Sequence, residues 1–168
     1  MVLQRVLNIL GLMAVLALII IAAMITGLVP PPAAFLGTPD NYERTTVTIT
    51  NNDSDTLGVI NVRIADIYLK QYIGLSNTAS LENGSGMLFT YDSASQHTFV
   101  MREMDFPLDI IFIGANGRIN TIESAPAPDP GQNGESIQRT GRAQYILEVP
   151  RGWTTRNGIN SGDQVQIE

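Results

Sequence analysis

Residues 108–123 read LDIIFIGANGRINTIE, two apolar stretches on either side of Gly114-Ala115-Asn116-Gly117. Asn-Gly takes up the positive backbone angles of a tight turn at little cost, so the stretch predicts a β-hairpin with strands Leu108–Ile113 and Arg118–Glu123. Side chains alternate along a strand. Asp109 therefore shares a face with Ile111 and Ile113, while Leu108 and Ile110 take the other. An acid in such company must be hydrogen-bonded, paired, or set at a pocket rim.

The pattern continues outward from this hairpin. Upstream, TTVTIT (45–50) and LGVINVRI (57–64) are β-branched and partly alternating, and NNDSDT between them supplies turn residues, which predicts a second hairpin. Asp66 is placed as an N-cap for a helix of about two turns over Ile67–Ile73, with Ile67, Leu69 and Ile73 as packing residues and Gly74 ending it. Met87–Tyr91 (MLFTY) and His97–Met101 (HTFVM) read as two short strands. Downstream, Pro126, Pro128, Pro130, Gly131 and Gly134 mark a surface loop. Gln144–Val149 (QYILEV) is the next strand, Pro150 and Gly158 frame a short helix through Trp153, and Gln164–Ile167 is a last strand. The expected fold class is mostly β (α+β) with one or two short helices.

The chain before this body differs in kind. Val6–Pro39 carries no charged residue, and Arg5 is the only charge before it. Val6–Val29 is long enough, at ~1.5 Å per residue, to cross the roughly 30 Å hydrocarbon layer. The run exceeds the apolar region of a cleaved signal peptide, which is about 7–15 residues, and only Asn8 and Thr26 give it any polarity, unlike the amphipathic helix of a soluble core. A transmembrane signal anchor is the expectation, ended by Pro30, Pro31 and Pro32. Basic residues flanking a span stay in the cytoplasm. Residues 1–5 are then cytoplasmic, 6–29 the anchor, 30–44 a linker and 45–168 a β-rich domain outside a single-pass cell-membrane protein.

All 16 acidic residues follow the anchor, against nine basic ones, so that part carries a formal charge of −7; Lys70 is its single lysine. Such an acidic, lysine-poor surface resembles proteins adapted to high salt, where cations screen carboxylate repulsion. Without a basic stripe there is nothing to displace counterions from phosphates, and nucleic acid is not expected as a partner. No cysteine is present, so neither disulfides nor a lipidated cysteine enter the account.

Candidate chemistry is sparse. A Ser-His-Asp arrangement would have to use His97, the single histidine, with Ser93 or Ser95 nearby but no nucleophile elbow. Glu103, Asp105 and Asp109 lie close around a turn, and two carboxylates in different surroundings can serve as acid and base. Asn51, Asp53 and Asp55, and Asp129, Asn133 and Glu135, offer hard oxygen ligands without the spacing of a calcium-binding hand. Gly84–Met87 (GSGM) lacks the lysine of a phosphate loop. No metal and no cofactor are expected. Met87, Phe99, Met101, Met104, Phe106 and Trp153 are candidates to line an apolar groove. Asn52-Asp53-Ser54 and Asn83-Gly84-Ser85 are glycosylation acceptor patterns.

Three blocks resemble a known family. They are Gly74-Leu75-Ser76 with Leu81 and Gly86-Met87-Leu88-Phe89; Phe99 to Ile110 (FVMREMDFPLDI); and Tyr145-Ile146-Leu147-Glu148-Val149-Pro150 with Gly152-Trp153, Gly158 and Gly162-Asp163. In order and spacing they resemble the patterns of the domain of unknown function 192, from about Val59 to the end. Ser76 stands where that family often has methionine, Val100 where it has tryptophan, and Arg102-Glu103 where it has Lys-Asn. The resemblance implies a compact, barrel-like β domain, often exported, with no agreed activity. The expected function is a non-catalytic, membrane-tethered module that binds a small molecule, glycan or peptide, or docks onto an envelope protein. Met101, Arg102, Glu103, Asp109, Glu148 and Trp153 are the ligand-facing candidates. An enzyme using Asp109 with Glu103 or Glu148 as acid and base is the alternative.

Overall fold

A computed structural model describes residues 42–168, apart from 77 and 83, together with residues 11, 13–15 and 18. The expected anchor over 6–29 lies almost wholly outside the described residues, as do most of the linker and the acceptor Asn83. Among the described residues no helix is long and apolar enough to cross a membrane.

Asn41–Glu168 forms a compact unit of its own. Its elements are β1 (Arg44–Thr50), β2 (Thr56–Ala65), α1 (Tyr68–Ile73), β3 (Ser85–Val100), β4 (Leu108–Ile113), β5 (Ile119–Ala125), β6 (Gln138–Pro150), α2 (Trp153–Arg156) and β7 (Gln164–Ile167). They build one seven-stranded sheet in the order β5-β4-β6-β3-β2-β1-β7. All neighbours are antiparallel except β2 and β3, which run parallel from Asn61↔Ser85 to Ala65↔Phe89. A parallel neighbour requires a crossover, and the crossover here carries α1. At one end the sheet's two edges meet. Arg118 bridges Gln164, and the Val165 amide donates to the Gly117 carbonyl at 2.7 Å. The sheet is thus curled into a half-barrel.

Alternation sends side chains to two cores, one on each face. Leu88, Ile111, Ile113, Leu147 and Val149 join Val47, Ile49, Ile60, Val62 and Trp153 on the first. Met87, Phe89, Ile110, Phe112 and Ile146 join Met101, Met104 and Leu108 on the second. β4 is buried at all six positions, as expected for a strand covered on both sides.

Both hairpins form as expected, and Gly117 takes the positive φ (72°) that the Asn-Gly turn needs. Four local expectations are corrected. Asp66 does not cap α1; its carboxylate pairs with Lys70 Nζ at 2.7 Å, and Ile67 is the cap position. Ile67 is half-exposed rather than packed, whereas Lys70 is buried, its ammonium also lying over the Tyr42 ring. The stretches 87–91 and 97–101 belong to one long strand, β3, whose register shifts between Thr90 and Ser95. Pro150 closes β6 instead of opening a helix; α2 starts at Trp153 after Gly152 in the left-handed region.

Candidate functional site

The second face of the sheet is incompletely covered. Between β3 and β6 on one side and α1 with its following turn on the other lies a cleft of about 250 Å³, lined by Tyr72, Gly74–Ser76, Phe89, Tyr91, Phe99, Val100, Arg102, Met104, Leu108 and Glu148 among others. Gly74 lets the chain turn here: it has φ 52°, and a Cβ would come within 3.3 Å of the Phe89 ring. Phe89 and Phe99 meet edge-on with centroids 4.7 Å apart, forming an aromatic wall.

Glu148 is the unusual member of this lining. Its strand neighbours across the sheet are Met87 and Ile110, both in the second core. Only 5 % of Glu148 is exposed; none of the hydrogen bonds among the described residues involves its carboxyl, and since no fully sealed side-chain oxygen there is left unbonded, the carboxyl keeps contact with the cleft. Burial disfavours the charged form and pushes its pKa up to about 8. At neutral pH the cleft therefore holds a carboxylic acid. The Tyr91 phenol is held above its ordinary value by burial and by the negative charge that Glu148 carries when ionised.

Arg102 also lines the cleft and is more open to solvent, with a quarter of its side chain exposed. Its guanidinium lies 4.2 Å from the Tyr72 ring centroid and donates to the Tyr72 carbonyl at 2.7 Å. Glu135 Oε1 is 3.9 Å away, too far for a hydrogen bond.

Asp109 has a different fate. Although it is equally buried, it accepts from four donors: Ser124 Oγ at 2.8 Å, the Gly152 amide at 2.9 Å, the Thr154 amide at 3.2 Å and Thr154 Oγ1 at 2.7 Å. Two of these are backbone amides at the start of α2, so the carboxyl fixes that helix to β4. Its strand partner is Val149, on the first face. Asp109 and Glu148 consequently lie on opposite faces of the sheet and do not form an acid–base pair.

Residues 47–167 match the DUF192 family, described as Uncharacterized ACR. The chain belongs to the DUF192 family. The match reaches back into β1, further than the expected start near Val59. Two solved structures share the fold of the DUF192 domain. A Sinorhizobium meliloti chain, named as a proposed transcription regulator, is 25% identical with a TM-score of 0.67, covering 76% of this chain and 95% of its own. A Novosphingobium aromaticivorans protein of unknown function is 29% identical with a TM-score of 0.64, covering 76% and 88%. The first of these relatives is almost wholly this domain, so a domain of this extent folds as an independent chain. No curated protein matches.

Of the six ligand-facing candidates in the DUF192 domain, the cleft brings together Arg102 and Glu148. Met101 is sealed in the second core, and Trp153 packs in the first, its ring so close to Gly58 that a Cβ there would approach to 2.9 Å. Glu103 is exposed with φ 55° and its amide bonded to the Asn133 carbonyl. Asp109 is occupied as described. Ser76, Val100 and Arg102, where the sequence departs from the family patterns, all line the cleft.

Other candidates resolve locally. Ser95 Oγ lies 2.9 Å from His97 Nε2, but the ring stacks on Tyr91 at 3.8 Å and its further hydrogen bond is to Ala143 backbone, so among the described residues no carboxylate completes a triad. Burial lowers the His97 pKa. Asn51 Oδ1 accepts from the Asp53 and Asp55 amides, and Asn133 Oδ1 from that of Glu135, as turns require. Asn52 is exposed in the β1–β2 turn, its Oδ1 accepting from Arg118. Phe89, Tyr91 and Tyr72 escaped sequence reasoning as cleft residues. Alternation in MLFTY carried the signal for the first two, since Met87, Phe89 and Tyr91 share the face that Glu148 occupies.

Proposed function

We propose that the domain is a non-catalytic binding module for one small molecule, held in the cleft between α1 and the sheet. One observation carries this reading: a largely buried carboxyl that no described residue hydrogen-bonds faces a preformed, aromatic-walled space. A carboxyl with little water around it and no described hydrogen-bond partner gains from a ligand that hydrogen-bonds it. An apolar cavity of about 150 Å³ accepts a benzene; at that ratio this cleft takes roughly ten non-hydrogen atoms. A small molecule fits, and a glycan chain or a peptide does not.

The acid–base alternative loses support because Asp109 is saturated with donors and faces away from Glu148. The regulator role in the Sinorhizobium name does not transfer readily, since the −7 charge beyond the anchor opposes nucleic acid. The uncharged run after Arg5 supports a module tethered outside the cell membrane. A thermal-shift screen of small molecules on Asn41–Glu168 tests the binding role: compounds should raise the melting temperature of the wild type but not of Glu148→Gln. Stabilisation unaffected by that substitution would move the site elsewhere. Protease added to intact cells should remove the domain, and full protection would overturn the exterior placement.

A further inference from the structure

Two charged side chains of opposite sign line the cleft at different depths. Glu148 sits at the bottom, 5 % exposed, and Arg102 at the mouth, its side chain a quarter exposed. Of the five guanidinium donors available to an arginine, the described residues take one, at the Tyr72 carbonyl. The cleft walls also include Phe89, Phe99, Tyr91, Met104 and Leu108.

We propose that the cleft binds a small zwitterion, its ammonium seated against Glu148 and the aromatic wall and its carboxylate meeting Arg102 at the mouth. This rests on the cleft being a ligand site and names the class of ligand. A simple cation would satisfy Glu148 yet leave the Arg102 charge opposed to it. A simple anion would pair with Arg102 and face an acid at the bottom. A molecule carrying both charges matches both, and aromatic faces attract an ammonium.

Binding is coupled to a proton. The free cleft holds Glu148 as the acid at neutral pH; an entering ammonium favours the carboxylate, so the carboxyl proton passes to the buffer while the ligand keeps its own. The other charged or titratable groups that line the cleft with Glu148 are Tyr91 from β3, Tyr72 from α1 and Arg102 from the loop between β3 and β4. The free acid must be ionised at a cost that shrinks as pH rises, so affinity should increase about tenfold from pH 6 to 7, about fivefold from pH 7 to 8, and level off above.

Calorimetry on Asn41–Glu168 in two buffers of different ionisation heat tests this, with trimethylglycine and γ-aminobutyrate as zwitterions, tetramethylammonium as cation, butyrate as anion and tert-butanol as a neutral probe. Expected are binding of at least one zwitterion in preference to the other probes, release of close to one proton at pH 7, loss of that release in Glu148→Gln, and loss of the preference over tetramethylammonium in Arg102→Gln. Butyrate or tert-butanol binding better than both zwitterions, with sensitivity to Glu148→Gln, would overturn the zwitterion and leave the binding module standing. Zwitterion binding without proton release would also overturn it. If no probe binds and the wider thermal-shift screen finds no ligand, both fail.

Discussion

Replacing Glu148 with glutamine should stabilise the folded domain, by an amount that depends on pH. The folded protein holds the Glu148 proton until about pH 8, whereas the unfolded chain releases it near the ordinary 4.5. Between those values the folded state binds more protons, so wild-type stability falls as pH rises and the fall ends above about 8. Three and a half units at about 1.4 kcal/mol each give an upper figure near 5 kcal/mol; water entering the cleft reduces it, and roughly 3–5 kcal/mol is expected. Glutamine keeps the shape and cannot ionise. Urea unfolding of wild type and Glu148→Gln at intervals from pH 4.5 to 9 cancels every other titrating group in the difference. The two curves should coincide near pH 4.5 and diverge until Glu148→Gln leads by roughly 3–5 kcal/mol at pH 8. A difference independent of pH, or a variant less stable at pH 8, would refute the assignment of Glu148 as a buried, unpartnered acid.

Three further outcomes follow from the same geometry. Asp109→Ala should destabilise the domain by about 3–5 kcal/mol, because it strands four donors around a buried site, while Asp109→Asn should cost less; a loss under 1 kcal/mol in urea unfolding would contradict the anchoring of α2. Gly141→Ala should cost about 1–3 kcal/mol, since the new Cβ falls 2.6 Å from Phe112 Cδ1; an unchanged unfolding midpoint would mean the strand yields there. Raising salt from about 0.1 M to 1 M shortens the screening length from about 10 Å to 3 Å, and with the acidic excess the melting temperature should rise; a flat response would count against adaptation to high salt.

Much of the fold was legible because its signals are local. The Asn116-Gly117 turn and the alternation of LDIIFI define a hairpin without help from distant residues, and the NNDSDT turn defines another. The parallel pairing of β2 with β3 was not legible, since nothing in GVINVRI specifies which edge Met87–Phe89 will join. The long β3 was hidden for a related reason: the polar stretch Asp92–Gln96 reads as a loop, yet the strand runs on through it and β6 pairs before and after the register shift, from Thr90↔Tyr145 to Ser95↔Ala143 and on to Val100↔Gln138. Pro150 misled because the same proline that suits a helix start also suits a strand end, and the left-handed Gly152 separates the two. Within the site, Arg102 and Glu148 were identified by residue type. Their cleft was not, because it depends on α1 crossing over the second face, and Met101 and Trp153 went to cores that sequence cannot distinguish from a groove.

Asp109 and Glu148 together explain why burial alone does not mark a site. They occupy adjacent strands, one pairing step apart, and each is almost fully removed from water. On the first face the chain supplies Asp109 with Ser124, Gly152 and Thr154, so its burial is satisfied within the fold and links β4 to α2. On the second face nothing among the described residues answers Glu148, although apolar neighbours such as Met87 and Ile110 show that a methionine or leucine would suit the position and spare the fold an acid whose ionisation is opposed. A structural role accounts for the first acid completely, and no hydrogen bond among the described residues gives the second one. A partner for Glu148 from outside the domain would enter through the cleft that it lines.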